Sequence, residues 1–444
     1  MSIRAPGGAA MGGNPAPEPI VLRGHGGDVQ CVAFATLGGV ECLLSGDSNG
    51  DVVAWDLALR RPLWRLAAHP PSSGVLSVEA MPGGASSGPG DASERGETST
   101  TRVLTQGRDG TLKCWRASGA DAPSPDPAWS VTSGSFHFCR FAACFRDAAE
   151  GTLRALAVVG AETSAVDVLA VREGDAPDEP PSCARTFRVP TSDDAGGETG
   201  KLGTVMACAF VTPCEALRNN GAPLFFLVVG YEEGTVALWD ARDLENDEEK
   251  EEEEEAKKKG STEPLWRERV HGDAVTSVAA DATRGGFVSA AADGGVLRFA
   301  IRSSATNDDD LSGSKTDSKI RVELLQSHGG RNNEDAFAPA TAKRGVACVA
   351  VRDDGKVFAA GGWDGRTRVY ETSYDSKKRK PRRLASLGFH DDVVACVAFR
   401  TAVGGKGAPH AGWLATGSRD GAVALWPIFP PKNKVADGEG DEDA

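Results

Sequence analysis

His69, Thr105 and Asp109 combine an imidazole, a hydroxyl and a carboxylate, the three groups that a nucleophilic hydrolase gathers in one place. His390, Thr416 and Asp420 repeat the combination, and His25 with Ser45 repeats it with Asn49 in the acidic position. A catalytic constellation is needed once per site. Its recurrence in separate stretches, each closed by a tryptophan (Trp115, Trp426 and Trp55), argues for a structural role. Carboxylate, imidazole, hydroxyl and indole N–H can pass hydrogen bonds along one chain, which satisfies buried polar groups and stiffens the element carrying them.

The elements that position these groups are short hairpins. Six times an acidic or amide residue (Asn49, Asp109, Glu233, Asp293, Asp364, Asp420) stands beside a glycine and six residues before an aromatic: Trp55, Trp115, Trp239, Phe299, Tyr370 and Trp426. An acidic-Gly pair between alternating apolar runs signals a tight β-turn. Its repetition marks an array whose units bury their faces only against their neighbours. Seven units can be laid out, the third (Phe138–Phe141, Ala155–Val159, Val166–Val171) lacking the closing Trp. Outer strands are expected at Leu63–Leu66, Leu265–Val270, Ile320–Leu325 and Leu384–Phe389. The last unit ends at Trp426 with no fourth strand after it, so Ile20–Arg23 is expected to complete it and remove a free sheet edge. The predicted fold is all-β, a seven-bladed WD40 β-propeller over residues 20–430 with long disordered insertions.

Composition agrees with a binding module. The net charge of −14, from 49 basic and 63 acidic residues, argues against direct nucleic-acid contact or attraction to an anionic membrane. No apolar run approaches the ~20 residues that span a bilayer. Met1–Glu18 has no apolar core and does not read as a signal peptide, so the ten cysteines are expected as free thiols. Five of them (Cys31, Cys139, Cys208, Cys348, Cys396) are assigned to inner strands as small apolar fillers. His137, Cys139 and Cys144 are the nearest approach to a metal cluster and lack a second paired motif. No metal or cofactor is expected, and no phosphate loop or nucleophile elbow is present.

Residues 1–19 read as a disordered N-terminal segment and 431–444 as an acidic disordered tail. Polar insertions are expected near 83–101, 174–200, 244–263, 303–318, 329–343 and 372–383. Within the last, Lys377, Lys378, Arg379, Lys380, Arg382 and Arg383 form a candidate nuclear-import signal, hence a nuclear or cytoplasmic location. Propellers present loops on a rigid frame, and Arg108, Glu232 and Arg419, each beside a hairpin turn, are candidate partner-binding residues.

One ordered set of segments is distinctive: Gln106-Gly-Arg-Asp109 ahead of Trp115, Gly230-Tyr-Glu-Glu-Gly-Thr-Val-Ala-Leu-Trp-Asp240, Gly362-Trp-Asp-Gly-Arg-Thr-Arg-Val369, Phe389–Phe399 and Leu425-Trp-Pro-Ile-Phe-Pro430. It resembles the ASTRA-associated protein 1 family, also called guanine nucleotide-binding protein β-subunit-like protein 1, from Ile20 to Pro430 apart from the insertions. The resemblance implies a non-enzymatic scaffold associated with the TTT co-chaperone machinery, which matures PI3-kinase-related kinases, and with the chromatin-linked ASTRA assembly. It implies a propeller monomeric within a larger complex and transfers no site residue. A second reading is a substrate receptor of a cullin-type ubiquitin ligase, in which Trp239-Asp240-Ala241-Arg242 would expose Arg242 to a bidentate carboxylate contact. A true G-protein β-subunit is disfavoured because the Pro/Gly-rich Met1–Pro19 carries no heptad to pair with a γ partner.

Overall fold

In the computed structural model the described residues are 17–81, 101–133 (except 118 and 120), 138–145, 153–171, 178–189, 202–211, 225–241, 263–304 (except 282 and 284), 319–329, 345–372, 382–400, 410 and 412–428. They form seven four-stranded antiparallel sheets arranged as the blades of a propeller. Blade 1 is Val29–Leu37, Val40–Asp47, Asp51–Asp56 and Arg61–Ala67. Blades 2 to 6 begin at Val75, Ala142, Val205, Val275 and Val346. Blade 7 joins Val394–Phe399, Leu414–Ser418 and Val423–Trp426 to the N-terminal strand Ile20–Leu22. In that closure Ile20 faces Leu425 and Leu22 faces Val423, with Leu22 buried, so Val423–Trp426 is paired on both sides and the N-terminal strand closes the ring.

The acidic-Gly turns explain the hairpins. At Gly50, Gly110, Gly234, Gly294, Gly365 and Gly421 φ lies between 73° and 90°, a region open to glycine but costly for a residue with a Cβ. A second use of glycine joins the blades. The first residue of most inner strands is a fully buried valine, and at Val29, Val75, Val275 and Val394 it packs into the space left by a glycine on the preceding blade. A Cβ at Gly46 would come within 2.7 Å of Val75 Cγ1, and one at Gly417 within 2.6 Å of Val29 Cγ1. Blade 2 has Gln106 at this place instead. Its Oε1 accepts from Phe141 N at 2.8 Å and its Nε2 donates to Cys139 O at 3.3 Å.

That exchange corrects two expectations. The inner strand of blade 3 is Ala142–Phe145 rather than Phe138–Phe141, and Cys139 precedes it, because the 139–141 backbone is bonded to the Gln106 side chain instead of a strand. The stretch 174–200 is not wholly an insertion: Ser182–Arg188 is the outer strand of blade 3, pinned by buried Phe187 and Val189. The other expected insertions, 83–101, 244–263, 303–318, 329–343 and 372–383, together with residues 1–16 and the tail 431–444, lie outside the described residues apart from their edges.

Apolar packing between blades supplies most of the driving force. The cluster shared by blades 3 and 4 centres on Phe187, Phe225, Tyr231 and Trp239. Its Phe187 and Trp239 rings lie 5.4 Å apart, and Phe210 stacks on Phe225 at 4.7 Å. The seam between blades 5 and 6 holds a buried ion pair instead. Arg298 Nη2 donates to Asp281 Oδ2 at 2.8 Å, with both side chains at 1% exposure or less, and Arg298 Nη1 donates to Thr372 O across the seam. Such a pair survives burial only because its polar atoms are satisfied.

Candidate functional site

The hydroxyl–imidazole–carboxylate sets are closed networks. In blade 7, Trp426 Nε1 donates to Thr416 Oγ1 at 3.1 Å, Thr416 Oγ1 lies 2.8 Å from His390 Nε2, and His390 Nδ1 lies 3.0 Å from Asp420 Oδ2. The balanced assignment has the hydroxyl donating to Nε2 and the Nδ1–H donating to the carboxylate. Asp420 Oδ1 also caps its own turn by accepting from Ala422 N at 2.8 Å. Blade 2 follows the same plan: Trp115 Nε1 donates to Thr105 Oγ1 at 2.8 Å and Thr105 Oγ1 lies 2.9 Å from His69 Nε2. There Thr111 stands between the imidazole and Asp109, its hydroxyl 3.2 Å from His69 Nδ1 and donating to Asp109 Oδ1 at 2.7 Å.

Blade 1 departs from expectation. His25 Nδ1 meets Asp47 Oδ2 at 2.9 Å, not Asn49, while His25 Nε2 and Trp55 Nε1 converge on Ser45 Oγ at 2.6 and 2.7 Å. Asp47 Oδ1 accepts from the backbone N–H of Asn49 and Asp51. Only an acceptor-only carboxylate can take the imidazole N–H and two amide protons together; the amide of Asn49 cannot. Two further variants escaped the sequence reading. Blade 5 sets His271 Nε2 2.8 Å from Ser289 Oγ with Asp293 behind it and Phe299 in place of Trp. Blade 6 replaces histidine by buried Arg368, which donates to Asp364 at 3.0 and 2.6 Å.

Electrostatics follow from burial. Burial pushes the His69 imidazole down from 6.5 to about 4, with Asp109 opposing, so it is neutral at physiological pH despite the carboxylate nearby. Burial would raise Asp47, Asp109, Asp293 and Asp420, but hydrogen bonds from histidine, threonine or backbone N–H hold all four below the ordinary range, Asp293 at about 2. The thiols of Cys348 and Cys396 are pushed up to about 12, mainly by burial, and Cys31 rises further. These are inert fillers rather than nucleophiles or ligands. Among the described residues no three His, Cys, Asp or Glu side chains are placed to hold a metal. Thr105 and Thr416 are fully buried and each already accepts an indole N–H, which leaves no path for a substrate.

Among the described residues a cavity of about 790 Å³ opens at the mouth of the central channel, lined by residues from several blades. Two candidate partner residues, Arg108 and Arg419, both line it, although they come from blades 2 and 7. The other two do not: Glu232 stands exposed on blade 4 with its Oε2 accepting from Thr204 N at 3.1 Å, and Arg242 lies outside the described residues. Of the import cluster, Arg382 and Arg383 are exposed, while Lys377, Lys378, Arg379 and Lys380 lie outside the described residues. A third arginine went unnoticed in the sequence. Arg140, entering from blade 3, reaches across the ring so that its Nη2 donates to Gln30 O at 2.7 Å and Ala395 O at 2.8 Å. Arg108 donates to Gln30 Oε1 at 3.2 Å and lies 5.4 Å from the ring centre of Phe138.

Blade count and hairpin turns define a seven-bladed β-propeller, and the profile described as "WD40: WD domain, G-beta repeat" matches residues 18–56 and 339–371. The chain is similar along nearly its whole length to proteins named ASTRA-associated protein 1. The one from Verticillium alfalfae is 25% identical over 93% of both chains, and the one from Schizosaccharomyces japonicus is 26% identical over 93% of this chain and 99% of its own. A mouse protein named guanine nucleotide-binding protein subunit beta-like protein 1 is 27% identical over 94% of this chain and 98% of its own. Among solved structures, the Cps50 (Swd1) beta-propeller domain of Myceliophteria thermophila has the same fold, with a TM-score of 0.56 over 92% of this chain and 99% of that one at 15% identity.

Proposed function

We propose that this chain is a non-enzymatic adaptor in an ASTRA- or TTT-type co-chaperone assembly and supports the maturation and stability of PI3-kinase-related kinases, working in the nucleus, the cytoplasm or both. The observation that carries the reading is end-to-end similarity to ASTRA-associated protein 1 chains, with coverage of 93% or more on both sides in the two fungal comparisons above. A rigid frame held by closed networks, with Arg108, Arg140 and Arg419 from three blades lining one channel mouth, suits a binding role. The test is affinity purification of a tagged copy from its native cell extract at moderate salt, read by mass spectrometry. Recovery of co-chaperone subunits together with a large PI3-kinase-related kinase is the expected result. Recovery of a cullin adaptor in their place, lost on Arg242→Ala, would replace this reading with a ligase receptor.

A further inference from the structure

We infer that the mouth of the central channel binds an anionic side chain on a partner peptide, gripped by Arg108 and Arg419 above Arg140 and flanked by Phe138 and Trp363. The inference concerns the propeller's own groups and holds whichever assembly the chain joins.

Three guanidinium groups from blades 2, 3 and 7 converge on one cavity in a chain whose net charge is −14. Their positions are set by different constraints. Arg140 is fixed as the floor because two backbone carbonyls on different blades hold the same nitrogen. Arg108 is held from one side by Gln30, a neutral acceptor that satisfies an N–H without cancelling the charge. Arg419 sits exposed on the blade 7 turn, fixed through its backbone N–H to Val393 O at 3.1 Å. Burial and the like charges of Arg419 and Arg140 disfavour the charged form of Arg108, and Asp28 offsets only part of this. An incoming anion relieves that repulsion, and guanidinium forks suit the oxygen geometry of carboxylate and phosphate.

The aromatic flanks point to a peptide. Phe138 is 66% exposed, unusual for a phenylalanine, and stands at the rim beneath the Arg108 guanidinium. Trp363, on the turn of blade 6, is half-buried and packed so closely over Gly345 that a Cβ there would collide with the indole. A rigid indole and an open phenyl ring beside the arginines supply apolar contact for residues flanking the anion. A cavity of about 790 Å³ is of the size that accommodates an extended peptide segment. Phosphorylated serine or threonine and clustered glutamates share the required chemistry.

The test is fluorescence anisotropy on the full chain with three labelled short peptides of one sequence: unmodified, phosphothreonine-bearing, and with a glutamate cluster at that place. The double variant Arg108→Glu/Arg419→Glu is compared with Arg267→Glu/Arg269→Glu on the exposed outer strand of blade 4, which changes net charge equally. The expected result is binding of an anionic peptide that weakens about tenfold or more in the mouth variant, stays within about twofold in the control, and falls between about 50 and 200 mM salt. Tighter binding of the phosphopeptide identifies phosphate as the ligand group; equal binding of the glutamate peptide identifies carboxylate. Phe138→Ala, a surface change that leaves the frame intact, is expected to weaken either peptide several-fold. Equal loss in mouth and control variants, or no binding of either anionic peptide, overturns the inference. So does a single-stranded RNA oligomer that binds as tightly as the peptides with the same dependence on Arg108 and Arg419.

Discussion

Blades 3 and 4 and the arc from blade 5 through blades 6, 7 and 1 to blade 2 have the same strand order but are held by different chemistry. The arc carries a polar lock in every blade: His271 with Ser289, Arg368 with Asp364, His390 with Thr416 and Asp420, His25 with Ser45 and Asp47, and His69 with Thr105. It also holds the buried Asp281–Arg298 pair. Blades 3 and 4 rely on aromatic packing around Phe187, Phe225 and Trp239, where the Trp239 indole stands beside the Tyr231 hydroxyl instead of a serine or threonine bonded to histidine. A blade is therefore a shape that can be reached in two ways. Polar locks fix geometry through donors and acceptors and inherit a pH dependence; the aromatic cluster is indifferent to protons but sensitive to volume.

The largest effects should come from breaking each region on its own terms. Phe187→Ala in the aromatic cluster and Arg298→Met in the arc should each destabilise by about 3–5 kcal/mol in urea unfolding, the first by a cavity and the second by stranding buried Asp281. Adding Asp281→Leu should recover most of the loss from Arg298→Met; no comparable second-site rescue follows for Phe187. Failure of that rescue would show that the ion pair is not what holds the seam. Thr105→Val comes next. It leaves His69 Nε2 and Trp115 Nε1 unpaired in a buried site at a cost of roughly 2–4 kcal/mol. Trp115→Phe should consequently cost about 1 kcal/mol more than Trp239→Phe, because the Trp115 indole donates to Thr105 at 2.8 Å within a polar lock and the Trp239 indole belongs to none.

Acid should separate the regions. The His69 value in the folded chain, about 4, lies below its ordinary 6.5, so between these values the unfolded chain binds more protons and stability falls as pH falls. The loss should reach roughly 2–3 kcal/mol near the lower limit. Below that, protonation of Asp47, Asp109, Asp293 and Asp420, all held low in the fold, removes more. Hydrogen exchange near pH 4, corrected for intrinsic rates, should open Thr101–Gly107 of blade 2 before Phe226–Tyr231 of blade 4. The reverse order would break the comparison. The smallest contrast lies within blade 1: Asp47→Asn should cost about 1–3 kcal/mol and Asn49→Ala under about 0.5 by thermal denaturation, because only Asp47 accepts from His25.

Much of the frame was legible because its signals are local. An acidic residue beside glycine names a turn wherever it occurs, and alternation names a strand against a core. The strand Ser182–Arg188 was missed because an outer strand faces solvent and needs little more than Phe187 to be held, which a Pro- and Asp-rich context conceals. Asn49 was mistaken for the blade 1 acid because motif spacing ranks positions along the chain. Reach to His25 is a distance in space, and Asp47 has it. Gln106 gave no signal of its own, since its role depends on what the next blade fails to supply.

Residue types and their repeat determined the blades, the turns, the closing strand and the donors and acceptors available for each lock, all of them short-range properties or periodic ones. The meeting of Arg108, Arg140 and Arg419 was decided only by the tertiary structure. They belong to three different blades, and nothing in sequence spacing converts position on a blade into direction toward an axis. Closing the ring makes that conversion, because it turns the inner ends of distant blades into neighbours around one channel.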